Sequence, residues 1–307
     1  MITPEVNIGA QPTLDSAEQQ IVVSMSALLA RAGIEYRGRF VEVDGNRIHY
    51  LDYGDGPPVL LMHGGGAGSA IWFRQIEVLS RTHRVIAPDH PVFGLSEQVA
   101  YEAPFVGNSV RYVNGFMDAV GIATADVVGL SLGAQMAIGV AIESPERVQK
   151  LVVIDSSGLG KQFPLLYKLA NLPVLGRMVV RPNRWGQDNY FKTMEVVDSE
   201  FEDAGVYKQY AHDVTLTDGH AAAMRSSVSV ITNFGGQKSI FSDDELRSIA
   251  APVLAIWGER DPLFPVEHGY RLAELVPNSS LHVIENTAHV PLLDRPDEVN
   301  ELILGFL

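Results

Sequence analysis

One pentapeptide limits the fold more than any other feature of the chain: Gly129-Leu130-Ser131-Leu132-Gly133. Before it stands Asp126-Val-Val-Gly129, a short apolar run that reads as a strand, and after it Leu132–Glu143 reads as a helix. A serine between strand and helix, with glycine two positions away on either side, describes a sharp turn that lifts a hydroxyl off the end of a sheet. Both glycines are needed because a β-carbon at either place would meet neighbouring backbone. The following helix brings its N-terminus beneath the same hydroxyl.

The rest of the chain repeats the strand–helix alternation. Phe40–Leu51 has alternating apolar residues around Asp44-Gly45 and predicts a β-hairpin. Pro58–Met62, Val85–Ala87, Leu151–Ile154, Val253–Trp257 and Ser280–Ile284 are short apolar runs of the kind buried on both faces of a parallel sheet. Helical spacing recurs in Ser109–Val120, Val266–Leu275 and Glu298–Phe306. The fold class that follows is α/β, a mostly parallel sheet covered by helices on both sides.

From about Gly158 to Ser242 the alternation stops. Tyr167–Leu172, Asn189–Val197, Glu200–His212 and His220–Thr232 look helical, with no convincing buried strand between them. Such a block reads as a cap over the C-terminal edge of the sheet, where open α/β sheets bind ligands. The expected organisation is an N-terminal helical extension (1–36), a first core part (37–157), an inserted helical cap (158–242) and a second core part (243–307). Phe163, Leu165, Leu166, Leu169, Leu172, Met178, Trp185, Tyr190, Phe191 and Met194 give the cap apolar and aromatic surface, suited to a medium or bulky apolar substrate.

Three further loops each follow a predicted strand: His63-Gly64-Gly65-Gly66, Trp257-Gly258-Glu259-Arg260-Asp261-Pro262 and Thr287-Ala288-His289-Val290-Pro291. Glycine in the first loop lets backbone N–H groups face an anion, and His63 reads as the residue that orients that loop. Asp261 and His289 are the candidate acid and base for Ser131, with Asp155, at the end of Leu151–Ile154, a rival acid that otherwise reads as a cap or loop residue.

With these motifs in hand (HGGG at 63–66, DHPVFGLS at 89–96, GLSLG at 129–133, WGERDPLFP at 257–265, TAHVPLLDRPDEV at 287–299), the chain from about Arg39 to Leu307 resembles the α/β-hydrolase superfamily. The resemblance implies that Ser131 attacks a carbonyl carbon, His289 is the general base, and Asp261 orients the histidine. It also implies an oxyanion hole from the backbone N–H groups of Gly65 and Leu132. Val92 departs from the superfamily pattern, where glycine is usual, and His90 and Phe93 beside it could project toward the pocket.

Relatives that open epoxides or remove halide carry aspartate at the elbow, so Ser131 points to acyl transfer through an acyl-enzyme, with no metal or organic cofactor. The leading expectation is an esterase or lactonase. Carbon–carbon hydrolysis, as in the meta-cleavage-product hydrolases, is the alternative. That family usually has asparagine before the nucleophile and tryptophan after the histidine, where this chain has Leu130 and Val290. A non-catalytic binding protein of the same fold is the reading from another class.

Composition narrows the partners. With 23 Lys+Arg against 37 Asp+Glu, the formal charge of −14 opposes nucleic acid and anionic membrane surfaces. The absence of cysteine excludes disulfides, zinc–thiolate sites and a cysteine nucleophile. Ile21–Ala32 is too acidic at its start, after Glu5, Asp15 and Glu18, for a signal peptide. Ile21, Val22, Met25, Leu28 and Leu29 instead mark one face of a helix capped near Asp15 or Ser16. The expectation is a cytoplasmic monomer or homodimer acting on a small molecule, its N-terminal helix packed on its own domain, over the pocket or in a dimer.

Overall fold

Asp44 and Gly45 both take positive φ (50° and 80°) and join β1 (Gly38–Val43) to β2 (Asn46–Tyr53) in the expected hairpin. The computed structural model describes residues 12–66, 68–163, 183–199 and 201–307. After the hairpin come β3 (Pro58–Met62), β4 (Arg84–Pro88), β5 (Ala125–Leu130), β6 (Val148–Ile154), β7 (Val253–Gly258) and β8 (Ser279–Ile284). They form one eight-stranded sheet in the order β1-β2-β4-β3-β5-β6-β7-β8. The β1–β2 and β2–β4 pairs are antiparallel and all others parallel. Every residue of β5 and of β7 is buried, which is why the sequence shows unbroken apolar runs there rather than alternation.

Among the described residues the α-helices of seven or more residues are α1 (Ser16–Arg31), α2 (Phe73–Leu79), α3 (Phe105–Ala119), α4 (Leu132–Glu143), α5 (Arg184–Tyr190), α6 (Ala204–Val214), α7 (His220–Ile231), α8 (Glu267–Leu275) and α9 (Pro296–Phe306). Apolar residues of α3, α4 and α8 pack on one face of the sheet, and those of α1, α2 and α9 on the other. No helix among the described residues is long and apolar enough to cross a membrane.

α1 starts in a capping box: the Glu18 N–H donates to Asp15 Oδ1 at 2.8 Å and the Asp15 N–H donates to Glu18 Oε2 at 3.0 Å. Ile21, Met25, Leu28 and Leu29 are fully buried, each contributing roughly 1.5–3 kcal/mol by leaving water. The helix therefore packs on its own chain, and it also meets α6. Arg31 binds Asp203 and Glu202 just before α6, Arg74 of α2 binds the same Asp203, and Gln20 reaches Asp213.

The connection from β6 to β7 holds α5, α6 and α7, with a two-residue ladder pairing Thr232–Asn233 and Gly236–Gln237. The helix expected over Tyr167–Leu172 lies outside the described residues, as do Leu165, Leu166, Leu169 and Met178. Over Asn189–Val197 the expectation of one regular helix is corrected: α5 ends at Tyr190, and Phe191–Glu195 widens into a π-type turn. Such turns re-aim side chains within a helical path.

Candidate active site

Ser131 sits between the last residue of β5 and the first of α4 with φ 55° and ψ −114°. A non-glycine residue with positive φ is uncommon and strained, and it persists only where the surroundings fix it. Here the Ser131 N–H donates to the Ile154 carbonyl of β6 at 2.8 Å. The glycines do the rest. A β-carbon on Gly129 would stand 2.5 Å from Ala134 Cα, and one on Gly133 would stand 2.5 Å from the His63 carbonyl oxygen. The elbow is thus wedged between its own helix and the end of β3.

The partners arrive from the ends of β7 and β8. Ser131 Oγ lies 2.9 Å from His289 Nε2, and His289 Nδ1 lies 2.8 Å from Asp261 Oδ2. Since the carboxylate only accepts, Nδ1 carries the proton and Nε2 is left to accept from the serine. Asp261 Oδ1 takes the N–H groups of Leu263 (2.7 Å) and Phe264 (3.1 Å), which fix its plane. The Phe264 ring stands edge-on to His289 at 5.4 Å. All three side chains predicted to act together do meet.

The His63–Gly66 loop, predicted to supply an oxyanion hole, folds over this pair. Gly64 and Gly65 line the space before Ser131, and a β-carbon on Gly64 would come within 3.0 Å of Ser131 Cβ. The Leu132 N–H is the first of α4 and has no partner within the helix. His63 orients the loop, as its position suggested: Nδ1–H donates to the Gly64 carbonyl at 2.6 Å and Nε2 accepts the His90 N–H at 2.9 Å. Burial pulls the His63 pKa down, which favours the neutral ring that this pattern requires.

Of the two readings open for His90 and Phe93, projection toward the pocket or a plain packing role, the structure gives packing. His90 is fully buried and stacks on His63 at 4.1 Å, and Phe93 stands edge-on behind the same ring. Val92 keeps the glycine-like conformation of the pattern it breaks, with φ 80°. Its carbonyl accepts from His220 Nδ1 of α7 at 2.9 Å.

It is Asp261, not Asp155, that meets His289, and Asp155 is no loop residue in water. It is fully buried, with φ 42°, and its Oδ1 accepts the Gly258 N–H at 2.9 Å. Its other oxygen, Oδ2, is buried without a hydrogen-bond partner, with the Asp261 carboxyl as a charged neighbour. Burial first, and then the neighbouring Asp261, raise the Asp155 pKa well above the carboxylate range, which favours its neutral form.

The β6–β7 connection supplies the opposite wall. Tyr190, Glu195 and Tyr207 face Ser131 from it, while Leu130 and Val290 face it from the core. The Val290 N–H donates to the Glu195 carbonyl at 2.8 Å, and Asp294 accepts from both Val197 (3.0 Å) and Ala288 (3.0 Å). The histidine loop and the connection are thereby tied together. Sequence reading missed Glu195, because a lone carboxylate in a helical pattern looks like solvated surface. Of the aromatics expected to line the pocket, Tyr190 does so. Phe191 packs against Phe201 and Tyr207 within the connection, and Trp185 is exposed.

Residues 57–296 match the family described as alpha/beta hydrolase fold. The chain belongs to that family. A 2-hydroxy-6-oxo-6-phenylhexa-2,4-dienoate hydrolase of Comamonas testosteroni is 30% identical, over 85% of this chain and 91% of that protein. Among solved structures, carboxylesterase CesB of Bacillus subtilis superposes with a TM-score of 0.78 at 24% identity, covering 95% of this chain and 98% of its own. A meta-cleavage product hydrolase of Pseudomonas fluorescens gives 0.74 at 25% identity, covering 87% and 96%. The α/β-hydrolase architecture accounts for the strand order, the elbow and the positions of all three loops around Ser131.

Proposed function

We propose that this α/β-hydrolase is a serine hydrolase cleaving a carboxylic ester or lactone through an acyl-enzyme on Ser131, with the β6–β7 connection as its cap. The reading is carried by the Ser131–His289–Asp261 relay, whose distances already suit proton transfer. Ser131 Oγ attacks the carbonyl carbon as His289 Nε2 takes its proton, and Asp261 stabilises the imidazolium. The negative oxygen of the tetrahedral intermediate is held by the N–H groups of Leu132 and Gly65, each worth about 3–4 kcal/mol of barrier. Collapse releases the alcohol with the proton returned by His289. Water, deprotonated by the same nitrogen, then frees the acid.

Carbon–carbon hydrolysis is the second reading, favoured by the relative named as a dienoate hydrolase. It would require polar groups near Ser131 to manage a conjugated enol and its carboxylate. Tyr190, Glu195 and Tyr207 line the space before the serine, but Leu130 and Val290 stand where the meta-cleavage-product hydrolases usually carry asparagine and tryptophan, and this departure ranks the ester first. Assaying a p-nitrophenyl ester, a macrocyclic lactone and 2-hydroxy-6-oxo-6-phenylhexa-2,4-dienoate side by side tests the order. The ester or lactone is expected to lead in kcat/KM by about 100-fold. The dienoate leading by a similar factor would replace this reading with the second.

A further inference from the structure

Glu195 lies at the end of the π-type turn, with its side chain on the wall of the space before Ser131. Two elements aim it there. Its carbonyl is held by the Val290 N–H at 2.8 Å, and its Oε2 accepts from the Tyr207 hydroxyl at 3.3 Å. Oε1 faces the oxyanion loop, 3.9 Å from where a β-carbon on Gly66 would stand. The residue is half-buried and lines the pocket. The mechanism above leaves it without a task.

We infer that Glu195 sets the charge selectivity of the site: it admits esters that are neutral or cationic where they meet the cap, and it rejects those carrying a carboxylate there. This rests on the ester-hydrolase reading and names its substrate class. An anion in a poorly solvated wall repels a second anion and attracts a cation far more strongly than it would in water. Among the described residues lining this space none is Lys or Arg, so no side-chain cation of that wall offsets the effect.

The groups facing Glu195 are His289 on the core side, Tyr207 of α6, Tyr190 of α5 and His63 behind the oxyanion loop, with Asp294 on the far side of the segment. Burial raises the Glu195 pKa to about 7, against the opposing pull of His289 and the Tyr207 hydroxyl. Tyr207 is itself pushed well above the usual phenol range and stays neutral. The carboxylate therefore forms as pH rises through neutrality, and selectivity should grow in that direction.

The test uses a 3,3-dimethylbutyl ester, its quaternary-ammonium isostere and a carboxylate-bearing analogue of the same length, with the charge placed on the alcohol in one series and on the acyl chain in another. Ratios of kcat/KM to the neutral member cancel any pH dependence common to the whole series. In at least one series, the cation:carboxylate ratio of the wild-type enzyme should rise by about tenfold between pH 6 and 8, and Glu195→Gln should remove that rise. A pH-independent ratio in both series overturns the inference without needing a variant. So does a ratio unmoved in folded Glu195→Gln. If the wild-type enzyme hydrolyses no member of either series, the ester reading itself falls and takes this inference with it. If it hydrolyses the neutral ester with flat ratios, only the inference falls.

Discussion

Asp261 and Asp155 are two carboxyls that sequence leaves in competition for one role, and the structure gives them different hydrogen-bond partners. Asp261 must accept from His289, whereas Asp155 accepts the Gly258 N–H and is biased by burial toward its neutral form. Asp261→Asn should therefore cost about four orders of magnitude in kcat, because the amide favours the wrong imidazole tautomer. Asp155→Asn, which keeps an oxygen to accept the Gly258 N–H on a neutral side chain, should cost less than about tenfold. Steady-state kinetics of the two variants checks both, and the reverse order would give Asp155 the catalytic role. Ser131, His289 and Asp261 were legible because each follows an apolar strand in a glycine- or proline-marked loop. The state of Asp155 and the task of Glu195 were not, because both depend on burial among residues distant in sequence.

Among the elements, the elbow and the connection over it are positioned by different kinds of contact. The elbow relies on missing side chains. Gly133→Ala would push a methyl into the end of β3, and a loss of about 3 kcal/mol is expected in denaturant unfolding, at the upper end for overpacking. An unchanged midpoint would mean that β3 yields freely. The connection relies on charge. Asp203 is nearly inaccessible; burial alone would raise its pKa, but the hydrogen bonds from Arg31 and Arg74 outweigh it and the pKa is lowered. Asp203→Ala should cost about 2 kcal/mol and loosen α6 from α1, visible as faster amide exchange in both helices. Strand and helix identities were readable from periodicity. The π-type turn was not, because Asn189–Val197 has helical spacing and only its tertiary seat against Val290 widens it.

For the whole molecule, acid stability should hinge on Asp89, which knits the sheet to the site's loops. Its carboxylate accepts from His49 Nδ1 of β2 at 2.7 Å and from the N–H groups of Ser69 (2.6 Å) and Leu95 (2.9 Å). Burial would raise its pKa, yet His49 and the other donors bring it down to about 2. A depressed carboxylate stabilises the fold fully above its unfolded value, near 4, and loses that contribution as pH falls through 2. Unfolding free energy should therefore drop between pH 4 and 2 in the wild type. Asp89→Asn should start roughly 3–5 kcal/mol lower and show a flatter acid limb. The alternation of strands and helices made the architecture readable from sequence. The inward turn of Asp89 was hidden, since the Asp-His-Pro segment that holds it reads as a loop.

The account stands on Ser131 carrying the acyl group. Rapid quenching of the enzyme with a p-nitrophenyl ester, followed by peptide mass spectrometry, reads this directly. The acyl mass is predicted on the peptide containing Ser131, absent from Ser131→Ala. Turnover with no acylated peptide, or with the acyl group on another residue, would contradict it.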